Sequence, residues 1–148
     1  DEPILDESKI FSELKSLEFP LYFFDFETIA PAIPFLDGVA SYQRLPVQWS
    51  CHIVETPESE VRHEYYLHDP STKEDLRDAV VKSMKALFNP TGTIIAYHAS
   101  FETSVLRELA ELCPSDREYL LSLCDRFWDL EDVFQKHYYH KDMRGSCS

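Results

Sequence analysis

Apolar and polar positions alternate along this chain at two different periods, and the changes of period mark out its elements. Ile4, Leu5, Ile10, Phe11, Leu14 and Leu17 recur at helical spacing, so residues 4–17 read as a helix with one apolar face. Asp6 or Ser8 can cap its start. Glu18-Phe19-Pro20 stops it, because the residue before proline avoids helical angles. Residues 21–27 form a strongly apolar strand. A Pro-rich, irregular stretch follows over 28–45, with Tyr42, Gln43 and Arg44 near its end, able to meet a ligand or simply to stand in solvent. Val47, Trp49, Cys51 and Ile53 then alternate with Gln48, Ser50, His52 and Val54, which predicts a strand over 47–55. Val61, His63, Tyr65 and Leu67 set one face of a third strand over 61–68, where His63 and His68 read as ordinary surface positions. The turn between these two strands is too short for a crossover, so they pair antiparallel.

The helical period returns at Leu76, Val80, Met84, Leu87 and Phe88, with Ser71 or Thr72 as cap and Glu74-Asp75 in the first turn. Residues 93–97 are an almost unbroken apolar strand, the pattern of a strand buried on both faces in parallel pairing. Val105, Leu106, Leu109 and Leu112 predict a helix over 101–112 capped by Ser100. Residues 114–124 give a further short helix, 127–130 a fifth short strand, and 137–148 a polar loop. A strand that returns through a helix to lie beside the first implies a right-handed crossover. The expected architecture is α/β and three-layered. Strands one to three are antiparallel, strands four and five parallel, and helices flank the sheet. There is no repeat and no second domain, and 148 residues suit one core.

Two acids break this pattern. Asp25 and Glu27 are two residues apart in the first strand and project to the same side of it. Burying carboxylates is costly unless they are paired, hydrogen-bonded or metal-bound. The pair therefore reads either as half of a metal site or as two acids on a solvated turn. Glu102 lies just after the fourth strand, in the first turn of the next helix. The helix dipole alone favours an acid there. If the fourth strand runs parallel beside the first, however, their carboxyl ends share the edge at which open α/β sheets bind ligands.

Charge narrows the partners. The formal net charge is −13, from 27 acids against 14 Lys and Arg. That is the wrong sign for wide electrostatic capture of nucleic acid, so any grip on a polyanion is narrow or supplied elsewhere. Cys51, Cys113, Cys124 and Cys147 include no C-x-x-C pair and read as reduced thiols in a cytoplasmic protein. No apolar run reaches the roughly 20 residues needed to cross a membrane. The chain starts without Met and ends on Gly145-Ser146-Cys147-Ser148, which suggests a piece of a longer protein, truncated at its C-terminal end, whose other domains are partners of this one.

Asp25-Phe26-Glu27-Thr28 resembles the first motif of the DEDD exonuclease superfamily, the proofreading-exonuclease-like branch of the ribonuclease H-like fold. Tyr97-His98-Ala99-Ser100-Phe101-Glu102 is similar to its second motif, with His98 at the usual Asn position and Glu102 in place of Asp. The chain looks closest to a bacterial family of uncharacterised proteins with a predicted nuclease domain of this type. It shares the Pro46-Val47-Gln48-Trp49-Ser50 strand start and the Ala99–Glu102 segment. The resemblance implies a 3′–5′ exonuclease-like domain that hydrolyses DNA or RNA from its 3′ end by a two-metal mechanism, with Mg²⁺ or Mn²⁺. Asp25 would bridge the ions, Glu27 and Glu102 would each hold one, and Asp142 would complete the set through a third motif, Tyr138-x3-Asp142 or His137-x4-Asp142. His137 or Tyr138 would then be the general base. Asp129 is a weaker candidate ligand. Thr28, His98 and Phe101 would contact substrate. Two alternatives stand beside this expectation. One is a catalytically degenerate module of the same fold, kept for structure or interaction. The other is a phosphohydrolase of small nucleotides.

Overall fold

The structure is a computed structural model that describes residues 4–139. A short strand β1 (Ile4–Leu5) leads into α1 (Glu7–Lys15), whose start is capped by Asp6 accepting the Lys9 backbone N–H. The strands β2 (Leu21–Ile29), β3 (Leu45–Val54) and β4 (Arg62–Leu67) form an antiparallel meander. Helix α2 (Leu76–Leu87) crosses over to β5 (Thr93–Ala96). Then come α3 (Ser100–Leu112), a 3-10 turn at Pro114–Asp116, α4 (Arg117–Cys124), β6 (Phe127–Asp129), α5 (Leu130–His137) and β7 (Tyr138–Tyr139). The central sheet has the order β4-β3-β2-β5-β6, and β1 pairs separately with β7. β2 pairs parallel with β5, and β5 with β6. This is the expected mixed sheet flanked by helices, a three-layer α/β fold of generic ribonuclease H-like topology.

Strand alternation builds the core. Tyr22, Phe24 and Phe26 are buried on one side of β2, and Trp49, Cys51 and Ile53 match them on β3. Helix α2 lays Leu76, Val80 and Met84 against this face, and α3 adds Leu106 and Leu109. The Trp49 indole N–H donates to Ser83 Oγ at 2.8 Å, which ties α2 to β3 without leaving a buried donor unpaired. Cys51 and Cys113 are buried, and burial pushes their thiols up to about 12 and about 11.

The loop before β5 is fixed from two sides. Arg126 donates to the carbonyls of Asn89, Thr91 and Gly92, while its guanidinium lies over the Tyr22 and Phe88 rings. Gly92 sits at φ +102°, and a Cβ there would come within 2.4 Å of the Pro20 carbonyl oxygen. The close approach lets Thr93 N–H reach the carbonyls of Glu18 and Pro20.

Several boundaries differ from those the pattern predicts. The segment before α2 uses its polar residues in a turn of its own, with Asp69 accepting the Ser71 N–H at 2.8 Å. The helix therefore starts later, capped by Asp75 rather than by Ser71 or Thr72. Ser100 is the first residue of α3, not its cap. Leu130 from the predicted fifth strand, residues 131–136, for which the pattern predicts no element, and His137 from the predicted loop form α5; Asp129 caps it, acids lie in its first turn and basic residues in its last. The stretch before β3 is held rather than free: Gln43 accepts the Ala40 N–H, and Arg44 donates to Ser104 and Glu108 of α3. Among the described residues no helix is long and apolar enough to cross a membrane.

Gly92→Ala is expected to destabilise the protein by about 1–3 kcal/mol from the left-handed backbone alone, and by more because Pro20 is backbone-fixed. Chemical denaturation of the two proteins measures this, and an unchanged midpoint would refute the close-approach account.

Candidate functional site

β2 pairs with β5 only from Leu21↔Thr93 to Phe23↔Ile95. β5 then ends, while β2 continues along β3 as far as Ile29↔Leu45. The two parallel strands thus part company just before Asp25. Past Glu27 the β2–β3 register shifts at Val47, so that Thr28 faces Pro46. A bulge suits that point because proline offers no N–H to the ladder. Asp25 and Glu27 share the face opposite Tyr22, Phe24 and Phe26 and are exposed, as i and i+2 spacing requires. Thr28 is half-buried at the bulge.

After β5 the chain reverses sharply. His98 adopts a left-handed conformation, φ 66°, and α3 begins two residues later. The reversal is held by Asp129 at the end of β6, in register with Ala96. Its carboxylate accepts the His98 N–H at 3.1 Å, the Ala99 N–H at 2.9 Å and the Glu131 N–H at 3.0 Å. In the first turn of α3, Glu102 is turned inward and is only 2% exposed, and its Oε2 has no hydrogen-bond partner. Burial, joined by the charge and hydrogen bond of Asp25, pushes its carboxyl up to about 7 against the opposing pull of its own backbone N–H and of His98. Asp25 is 77 residues away in sequence (102 − 25), and the buried Glu102 carboxyl keeps its proton close to neutral pH.

His98 and Phe101 have separate environments. The His98 ring Nδ1 lies 2.6 Å from Glu131 Oε2 and the ring is mostly exposed. Phe101 is half-buried against the core with the Arg44 guanidinium over its ring, so its faces are engaged by the protein itself. His137 faces Glu13 of α1 at 2.6 Å, which commits its ring to joining α5 to α1. Asp142 lies outside the described residues, and with it the third motif. Glu131 was not singled out by sequence reasoning. Its signal was the Asp129 cap, which places residue 131 in the first turn of a helix at this edge.

The expectation of two divalent ions is overturned. Among the described residues, no group of three or more His, Cys, Asp or Glu side chains could hold a metal ion. Several carboxylates lie at this edge, but they are engaged separately rather than around one point. Asp129 serves three backbone N–H groups, Glu131 serves His98, and Glu102 is desolvated beside Asp25. The donor set does not fit Mg²⁺ or Mn²⁺, which take several oxygen ligands.

The raised carboxyl has a sign that stability measurements can read. Its contribution is fully present below the unfolded value, near pH 4.5, and is lost as pH rises through about 7. The loss is on the order of 3 kcal/mol. Glu102→Gln should therefore flatten the fall in stability across that window and melt higher than the wild type at pH 8. Thermal denaturation from pH 4 to 8 tests this, and parallel curves for the two proteins would refute it.

Residues 22–148 match the model of a protein family described as Domain of unknown function (DUF2779). No curated protein and no solved structure matches the chain.

Proposed function

The chain belongs to this family, and from that premise we propose that it is a phosphodiesterase of the 3′–5′ exonuclease type, which removes nucleotides from a DNA or RNA 3′ end. Asp25, Glu27 and Glu102 are its catalytic groups, and Thr28 and His98 contact substrate. The observation that carries this reading is the buried Glu102 carboxyl meeting Asp25 where β2 and β5 separate. Open α/β sheets take their ligands at that place. A buried acid kept near neutral pKa beside an exposed carboxylate is the arrangement from which acid and base roles are drawn. Asp25, with Glu27 beside it, takes the proton of an attacking water, and the protonated Glu102 stands near Asp25 without competing for that proton. Wide capture of nucleic acid falls to other domains of the same longer chain, in keeping with the net charge of −13. Cys51, Cys113 and Cys124 stay as thiols in the cytoplasm.

A second reading is a non-catalytic ribonuclease H-like module for structure or interaction. It is favoured by the finding that, among the described residues, no group of three or more His, Cys, Asp or Glu side chains could hold a metal ion. A third, a phosphohydrolase of small nucleotides, is favoured by the acidic charge.

One experiment separates the three. DNA and RNA oligonucleotides with a 3′ label, their 3′-blocked counterparts, and dinucleotides are each incubated with the protein. The exonuclease reading expects labelled mononucleotide from the free 3′ ends, little from the blocked ones, and a fall of about 100-fold or more in Asp25→Asn, in line with loss of an acid–base group. Turnover of dinucleotides alone supports the small-nucleotide reading. Absence of turnover on every substrate leaves the non-catalytic module.

A further inference from the structure

His98 is unusual in both backbone and side chain. A non-glycine residue at φ 66° stores about 1–3 kcal/mol. That strain brings no packing in return, because the His98 side chain is 63% exposed. It is nevertheless held tightly. Asp129 accepts its backbone N–H, and Glu131 Oε2 meets its ring Nδ1 at 2.6 Å. Glu131 is itself fixed, since its other oxygen accepts from Gln135 Nε2 at 2.9 Å, and its side chain is only 17% exposed. This contact places a proton on Nδ1 and leaves Nε2 directed away from Glu131. The carboxylates facing the imidazole come from three elements: Glu131 of α5, Asp129 of β6 and Glu102 of α3. The Glu131 hydrogen bond, reinforced by the charges of all three, raises the ring above the ordinary histidine range. With Nδ1 engaged by Glu131, Nε2 is the ring nitrogen left to face a ligand.

We propose that His98 is the proton donor to the leaving oxygen of the phosphodiester and that Glu131 is its positioning residue. The inference rests on the phosphodiesterase reading and assigns that site the acid it lacks. The step balances as follows. The water oxygen bonds to phosphorus, and the bond from phosphorus to the 3′ oxygen of the shortened chain breaks, its electron pair going to that oxygen. His98 Nε2–H protonates this oxygen, and the proton of the water goes to the Asp25 carboxylate. Return of that proton to His98 through solvent resets the pair. The products are a 5′-nucleotide and a free 3′ hydroxyl.

The test compares two substrates on the full chain: an oligonucleotide, whose alkoxide leaves poorly, and thymidine 5′-(4-nitrophenyl phosphate), whose nitrophenolate leaves without a proton. The variant is His98→Asn, because asparagine tolerates the left-handed backbone. The expected result is a loss of about 100-fold or more in kcat on the oligonucleotide and less than about fivefold on the nitrophenyl ester. Glu131→Gln should bring the alkaline limb of the kcat/KM profile to lower pH. The His98 ring titration, read by nitrogen-15 NMR without any turnover, should move with it. Equal losses on both substrates overturn the donor role, and an unmoved NMR titration overturns the positioning role. A wild type inert on both substrates, with the NMR titration as expected, overturns the phosphodiesterase reading and the donor role with it but leaves the His98–Glu131 pair standing. A wild type active on both, with His98→Asn unimpaired on each, overturns the donor role alone.

Discussion

The parallel pairing of β2 with β5, and the point at which it stops, governs the rest of this structure. Three register pairs join the strands, and beyond Phe23↔Ile95 the ladder has no partner on that side. β2 can continue only because β3 accompanies it to Ile29. In the first turn of α3 the carboxyl group of Glu102 is brought near Asp25 of β2 by an apolar stripe that has no freedom to turn elsewhere. Val105, Leu106 and Leu109 are all essentially inaccessible to solvent. Helix packing thus forces an acid out of solvent.

An acid so placed needs a counterpart, and the fold supplies a proton. The alternatives were spent locally. Asp129 answers the backbone of the reversal after β5, since a left-handed residue followed directly by a helix exposes N–H groups that no capping side chain satisfies. Glu131 answers the His98 ring. The carboxylates of this edge answer separate demands, Asp129 the backbone and Glu131 the His98 ring, and they do not gather as a divalent ion requires.

Strand alternation was legible because it follows directly from the two-residue period: Asp25 and Glu27 share a face and Phe26 opposes them, as the sequence alone requires. The mixed sheet was legible too, because the apolar run at 93–96 has no polar face to offer solvent. The start of α2 was not, because Asp69, Ser71 and Thr72 satisfy one another in a local turn that composition cannot tell from a cap. Helix α5 was readable in its cap and charges but was passed over beside the polar tail. The two-metal expectation fails for a deeper reason. Spacing locates carboxylates on an edge but does not say which backbone N–H groups have already claimed them.

Arg126 carries a consequence at the opposite end of the sheet. It gathers carbonyls from Asn89, Thr91 and Gly92 with one rigid guanidinium while its face rests on Tyr22 and Phe88. Such a fork reads distance along the chain, since carbonyls displaced by one residue would no longer meet its donors. The connection from α2 to β5 is therefore gauged in length, and an insertion there would part the loop from the fork that holds it.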